Sequence, residues 1–146
     1  MAGSVVDNGM GVTLVGGTSG FTGELISLSV GGMTREAIEV SHMAIATPTA
    51  PDFGGKAFIP ADLSDPGNIT FTVHANTGQA TANVPPINSA AETWTITWPQ
   101  TGAETAATWV CTGFVTDTTL NMEMEAPVTF DITVKLTGTQ NTTAAV

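Results

Sequence analysis

Hydrophobic and polar residues alternate most strictly between Val128 and Leu136, where Val128, Phe130, Ile132, Val134 and Leu136 are separated by Thr129, Asp131, Thr133 and Lys135. A period of two over nine residues describes a strand with one face in the core and one face polar. The same alternation marks Ile69-Thr-Phe-Thr-Val-His74, with Ile69, Phe71 and Val73 on one side. It recurs at Trp94-Thr-Ile-Thr-Trp98, with both tryptophans and Ile96 together. Further strands are predicted at Gly11 to Val15, at Leu25 to Val30 with Ile26, Leu28 and Val30 inward, and at Ala37 to Met43. In another, Trp109 to Thr116, Trp109, Cys111 and Val115 share one face and Val110, Thr112 and Phe114 the other, which suits a strand covered on both sides. Gly113 in its middle marks a bulge or the close approach of another backbone.

Turn signals separate these runs: Gly31-Gly32, Asp65-Pro-Gly67, Asn76-Thr-Gly78 and Pro99-Gln-Thr-Gly102. Short strands at this spacing predict an all-β sandwich or barrel. Helix is confined to a turn or two near Thr77 to Ala82 and around Ser89 to Thr93, which Pro85-Pro86 keeps from joining, so one short helix is the most expected. The segment from Ala46 to Lys56, ATPTAPDFGGK, has no periodicity and reads as a long loop of the kind that carries function. The polar end, residues 139–146, reads as a frayed tail. The 146 residues fit one domain with one core.

Composition narrows the functional classes. Three basic residues, Arg35, Lys56 and Lys135, stand against thirteen acidic ones, a net charge of −10 that repels nucleic acid rather than gripping its phosphates. Charged residues make up only 11% of the chain, against roughly 25% in ordinary soluble domains. Threonine, the most frequent residue, takes their place. Its branched Cβ suits a pleated sheet, and an uncharged hydroxyl surface can lie against a neighbouring subunit without desolvating many ions. Extensive self-association is the expectation, with a monomer kept soluble by its net charge as the alternative. The N-terminus, MAGSVVDNGMG, has no basic segment followed by an apolar run, and no stretch nears the roughly 18 apolar residues of a membrane span. A soluble chain without a cleaved signal and without membrane contact is expected.

Catalytic chemistry finds little purchase. Two histidines and no tyrosine are available as bases or proton carriers. Gly16-Gly-Thr-Ser-Gly20 is similar to a nucleophile elbow, but Phe21 stands where the motif requires glycine. His42 and His74 each sit in a strand pattern with no second ligand at metal spacing, and Asp62-Leu-Ser-Asp65-Pro reads as a turn and cap rather than a calcium loop. Cys111 is the only cysteine, which rules out an intrachain disulfide and reads as a small buried residue. Met122-Glu-Met-Glu125 has thioethers for a soft metal, yet the same alternation describes a hairpin arm whose methionines form an adaptable contact surface. No catalytic, metal or cofactor site is therefore expected.

The order of segments resembles the tail tube proteins of long-tailed bacteriophages. Thr34-Arg-Glu-Ala-Ile-Glu-Val-Ser-His-Met43 is similar to the family's charged residue, I-x-V, small hydroxyl residue and H. Phe58-Ile-Pro-Ala-Asp-Leu-Ser-Asp-Pro-Gly-Asn-Ile-Thr-Phe71 is similar to its FIPG, hydrophobic, D-x-G and T-F pattern. Thr95-Ile-Thr-Trp-Pro99, Thr112-Gly-Phe-Val115 and a last strand closing on Thr137-Gly138 follow in the expected order, so the likeness spans roughly residues 11 to 138. One departure is that Asn83-Val-Pro-Pro-Ile-Asn88 interrupts the place of the family's helix.

The resemblance implies a structural virion protein, made in the host cytoplasm, whose sheets join those of its neighbours into hexameric rings. The rings would stack into the hollow tail through which DNA is ejected without specific binding, alongside other phage tail proteins. Contact between rings is expected from the long loop, at Thr47, Pro48, Thr49, Ala50, Pro51, Asp52 and Phe53, and further contact between subunits from Met122 and Met124. The alternatives are a capsid decoration protein or another β-rich virion connector, and a carbohydrate-binding module stacking sugars on Trp94, Trp98 and Trp109.

Overall fold

The alternating segments become strands, and the longest of them organise the rest. The structure, a computed structural model, describes residues 10–41, 55–75, 85–99 and 105–143. Its strands are β1 (Thr13–Gly16), β2 (Glu24–Gly31), β3 (Thr34–Glu39), β4 (Phe58–Asp65), β5 (Asn68–His74), β6 (Glu92–Thr97), β7 (Thr108–Asn121) and β8 (Thr129–Thr143). No helix occurs among the described residues; Ile87 and Asn88 form a turn, Ser89 to Ala91 lead irregularly into β6, which already holds Thr93, and Thr77 to Ala82 lies outside them.

Six strands form one antiparallel sheet in the order β1-β6-β7-β8-β5-β2, and β3 pairs with β4 in a separate two-stranded arm. The β7–β8 hairpin pairs along its whole length, but β6 meets only its lower half, Thr108 to Gly113, and β5 only its upper half, Thr129 to Lys135. This stagger curls the sheet into a half-barrel, and its outermost strands approach each other through a bridge between Val15 and Thr22. The fold is all-β, as the alternation predicts.

Inside the curl lie Leu14, Ile69, Val73, Ile96, Ile132 and Val134, all buried. At the centre Phe21, Phe71 and Trp94 make a mutual cluster with ring centroids 6.1 to 6.2 Å apart. Rings at this spacing and tilt add about 0.5–1.5 kcal/mol per pair beyond their area. Gly113 is the close approach its position announces, because a Cβ there would lie 2.5 Å from the Lys135 carbonyl oxygen.

Four expectations are corrected. A β-bulge between Leu25 and Ser27 puts Leu25, Leu28 and Val30 on the inner face and leaves Ile26 exposed. Trp98 lies beyond the end of β6 and is exposed, whereas Trp94 is buried. β7 runs five residues past Thr116 to Asn121, and on its second face Phe114 is exposed while Val110 and Thr112 are half-buried. The polar end is strand as far as Thr143, paired with Thr108, rather than a loose tail from residue 139.

Candidate assembly surface

Among the described residues, the β3–β4 arm is left largely uncovered by the rest of the chain. Every residue of β3 is exposed, and all but one of β4. Ile38 pairs with Ile59, and Val40 donates its amide to the Ala57 carbonyl at 2.9 Å, so an aliphatic strip lies along one face. Phe58 opposes Glu39, whose carboxylate sits 3.6 Å from the Lys56 ammonium. Between Arg35 and Ala37 the register slips, and Leu63 on the opposite strand is 86% exposed. A lone two-stranded sheet is marginal in water, and exposed Ile38 on one strand with Phe58, Ile59 and Leu63 on the other signal a surface meant for contact.

The arm joins the half-barrel at Gly31-Gly32 on one strand and Pro66-Gly67 on the other. Gly67 adopts φ +86° and backs onto the Gly31 carbonyl so closely that a side chain there has no room. Asp65 Oδ1 accepts the Gly67 amide at 2.8 Å and the Lys135 ammonium at 2.7 Å. Lys135, with the Gly67 amide behind it, holds the Asp65 carboxyl below the usual carboxylate range. Asp65 thus is the cap foreseen in the sequence, while Asp62 lies within β4.

At the opposite end of the sheet, Met122 and Met124 occupy the β7–β8 turn and are 69% and 92% exposed. They therefore stand on a turn rather than a strand arm. Thr47, Pro48, Thr49, Ala50, Pro51, Asp52 and Phe53 lie outside the described residues, in the stretch connecting β3 to β4, as does His42.

The remaining candidates are structural. In the Gly16 to Gly20 turn, Ser19 Oγ donates to Glu92 Oε1 at 2.8 Å and has a carboxylate, not an imidazole, as partner. No group of three or more His, Cys, Asp or Glu side chains placed to hold a metal occurs among the described residues. Cys111 is buried, and burial pushes its thiol up from 9.0 to about 11. Trp94 donates its indole N–H to the Gly113 carbonyl at 3.1 Å inside the core, and Trp109 is half-buried with its own bonded to Gln140. Of the three tryptophans only Trp98 is open to a ligand, so no stacking row for a sugar is formed.

Sequence reasoning missed Glu92, which is only 5% exposed. Its Oε2 accepts the amides of Thr18 at 2.9 Å and Ser19 at 2.7 Å. The available signal was its phase, since residues 92, 94 and 96 share the core face of β6.

No family model and no curated protein matches the sequence. Solved structures do match along nearly the whole chain. The fold is that of tail tube proteins. The sheath/tube terminator of an extracellular contractile injection system in its extended state superposes with a TM-score of 0.70 at 15% identity, over 98% of this chain and 100% of that one. The tail of an empty gene transfer agent particle, solved with C6 symmetry, gives 0.67 at 10% identity over 95% of this chain and 100% of that one. The SPP1 tail tube gives 0.53 at 9% identity over 91% and 75%.

Proposed function

We propose that the chain is a non-enzymatic structural subunit that assembles with copies of itself into rings, and that the rings stack into the hollow tube of a phage-like tail. The observation that carries this reading is the arm, a two-stranded sheet exposed on both faces in a chain with the tail tube fold. Burial of the Ile38, Val40 and Ile59 strip against a neighbouring copy would supply the stabilisation that the arm lacks alone. The contact residues Thr47 to Phe53 connect the arm's strands, and Met122 and Met124 offer adaptable apolar contacts at the other end of the sheet.

Six copies, as the C6 symmetry of the gene transfer agent tail suggests, at −10 each bring about sixty formal negative charges to a ring. Such a ring repels a polyanion, which suits a conduit that DNA traverses without sticking. A second reading is a terminator that caps a tube. The fit to the sheath/tube terminator favours it, with a TM-score of 0.70 against 0.53 for the SPP1 tail tube.

Negative-stain electron microscopy over a concentration series tests both. Hollow tubes of uniform width and open-ended length are expected for a tube subunit, and single rings that never stack for a terminator. A chain that stays monomeric at high concentration, and also in the presence of purified tail tips, would overturn self-assembly.

A further inference from the structure

The root of the arm is built as a hinge with a catch. Both crossings are glycine-bearing, with Gly32 at φ +75° and Gly67 at φ +86°, and beside them an open cleft of about 320 Å³ runs between Met33, Arg35 and Ser64 on the arm and Gly138 and Thr139 on β8. Across that cleft β8 holds the arm at three points. Lys135 Nζ reaches Asp65 Oδ1 at 2.7 Å. Gln140 Nε2 donates to the Pro66 carbonyl at 2.6 Å, while its Oε1 accepts the Trp109 indole N–H at 3.1 Å. The Leu136 amide donates to the Gly67 carbonyl at 3.0 Å. Except for that last bond, each hold is a side chain of β8 gripping the strand end on which the arm turns.

We infer that Lys135 and Gln140 are positioning residues that set the angle of the β3–β4 arm on the half-barrel, so that a free subunit carries its arm already aimed for contact with the next copy. The inference rests on the proposed role of the arm in assembly. Neither side chain belongs to the buried core: Lys135 lies on the outer face of the sheet, opposite Phe114, and Gln140 lies beyond the last buried β8 residue, Leu136, and meets the core margin only through the Trp109 indole. Loss of the catch therefore frees the arm without opening the barrel. Lys135 and Asp65 are both substantially exposed, so salt weakens their pair, whereas the neutral Gln140 relay does not respond. Of the three holds, the two made by side chains are thus one ionic and one neutral, and their contributions can be separated.

The test is a distance measurement between two spin labels in the full chain, at Leu63→Cys on the arm and Thr70→Cys on the exposed face of β5. Cys111 is buried and stays unlabelled. With the catch intact a single narrow distance distribution is expected. Lys135→Met combined with Gln140→Leu should broaden it at least about twofold with the far-ultraviolet circular dichroism unchanged, and Lys135→Arg should keep it narrow. Should the double variant fail to fold, a salt titration from about 0.1 to 1 M on the intact catch replaces it and should give a partial broadening. A distribution that neither the substitutions nor salt alter would overturn the inference. Broadening accompanied by normal tube formation would uphold the catch and instead remove the arm from the assembly mechanism.

Discussion

The carboxylate of Glu92 grips Ser19 at two points, the amide at 2.7 Å and the hydroxyl at 2.8 Å, across 73 positions of sequence. Together with the Thr18 amide these bonds fasten the turn that delivers Phe21 to the aromatic cluster, and so tie β1 and the entry to β2 against β6. Hydrogen bonds to a buried charge contribute about 1.5–3 kcal/mol each, and an abandoned donor costs about 1–3 kcal/mol. Glu92→Leu should therefore lower unfolding stability by about 3 kcal/mol, Glu92→Gln by less, and Ser19→Ala by about 1 kcal/mol, read from urea midpoints at unchanged slope. If Glu92→Leu is neutral, the turn is held by Phe21 packing and by backbone bonds such as that from the Gly17 amide to the Thr93 carbonyl at 2.7 Å.

Gly113 is constrained by its neighbours rather than by its own backbone. A methyl group there would lie 2.5 Å from the Lys135 carbonyl and 2.9 Å from Val134 Cγ1, in the strand pairing that also positions the acceptor of the Trp94 indole. Gly113→Ala should destabilise by roughly 2–3 kcal/mol through overpacking, with a red-shifted tryptophan emission as Trp94 loses its enclosure. An unaltered emission spectrum and midpoint would show that β7 and β8 can part at this point at little cost.

The strands that face the core were legible in the sequence, and those that do not were only partly so. Ile69 to His74 and Val128 to Leu136 announced themselves because alternation records burial of one face. β4, with Pro60 and Asp62 and both faces in solvent, has no buried side to record, and neither does β7 beyond Thr116 or β8 from Thr137 to Gln140. The bulge at Ile26 shifts the phase by one residue, which no count of apolar positions shows. The candidate surface was half legible for the same reason: the Met122 and Met124 segment stood out by composition, while the arm was visible as one strand, predicted at Ala37 to Met43 and found at Thr34–Glu39, and as a resemblance between motifs.

Cys111 gives a pH-dependent test of the core. Burial raises its thiol from 9.0 to about 11, so the unfolded chain loses this proton at lower pH than the folded one. The contribution to stability is complete below pH 9.0 and is lost as pH rises from there towards about 11. Native protein should resist thiol reagents at about pH 8 and react only with the kinetics of unfolding. Cys111→Ala should flatten the fall in stability between about pH 8 and pH 10.5 relative to the unaltered chain. Rapid labelling of folded protein would mean that the sheet opens locally at Cys111.

The sharpest separation between folding and assembly is available on the arm. Ile38 and Ile59 face each other on its strands and touch no part of the buried core. Surface changes of this kind move stability by less than about 0.5 kcal/mol, so Ile38→Asp with Ile59→Lys should leave the unfolding midpoint of the monomer nearly unchanged. The new pair is of opposite charge and directly cross-strand, which tends to preserve the arm's own pairing. Buried against a neighbour, the same two charges would each need a partner or be desolvated at a cost of several kcal/mol. Assembly should therefore fail completely in a chain that is otherwise folded, as judged by sedimentation and microscopy at concentrations where the parent forms rings or tubes. Normal tubes from this variant would place the contact elsewhere, with Met122 and Met124 the next surface to substitute.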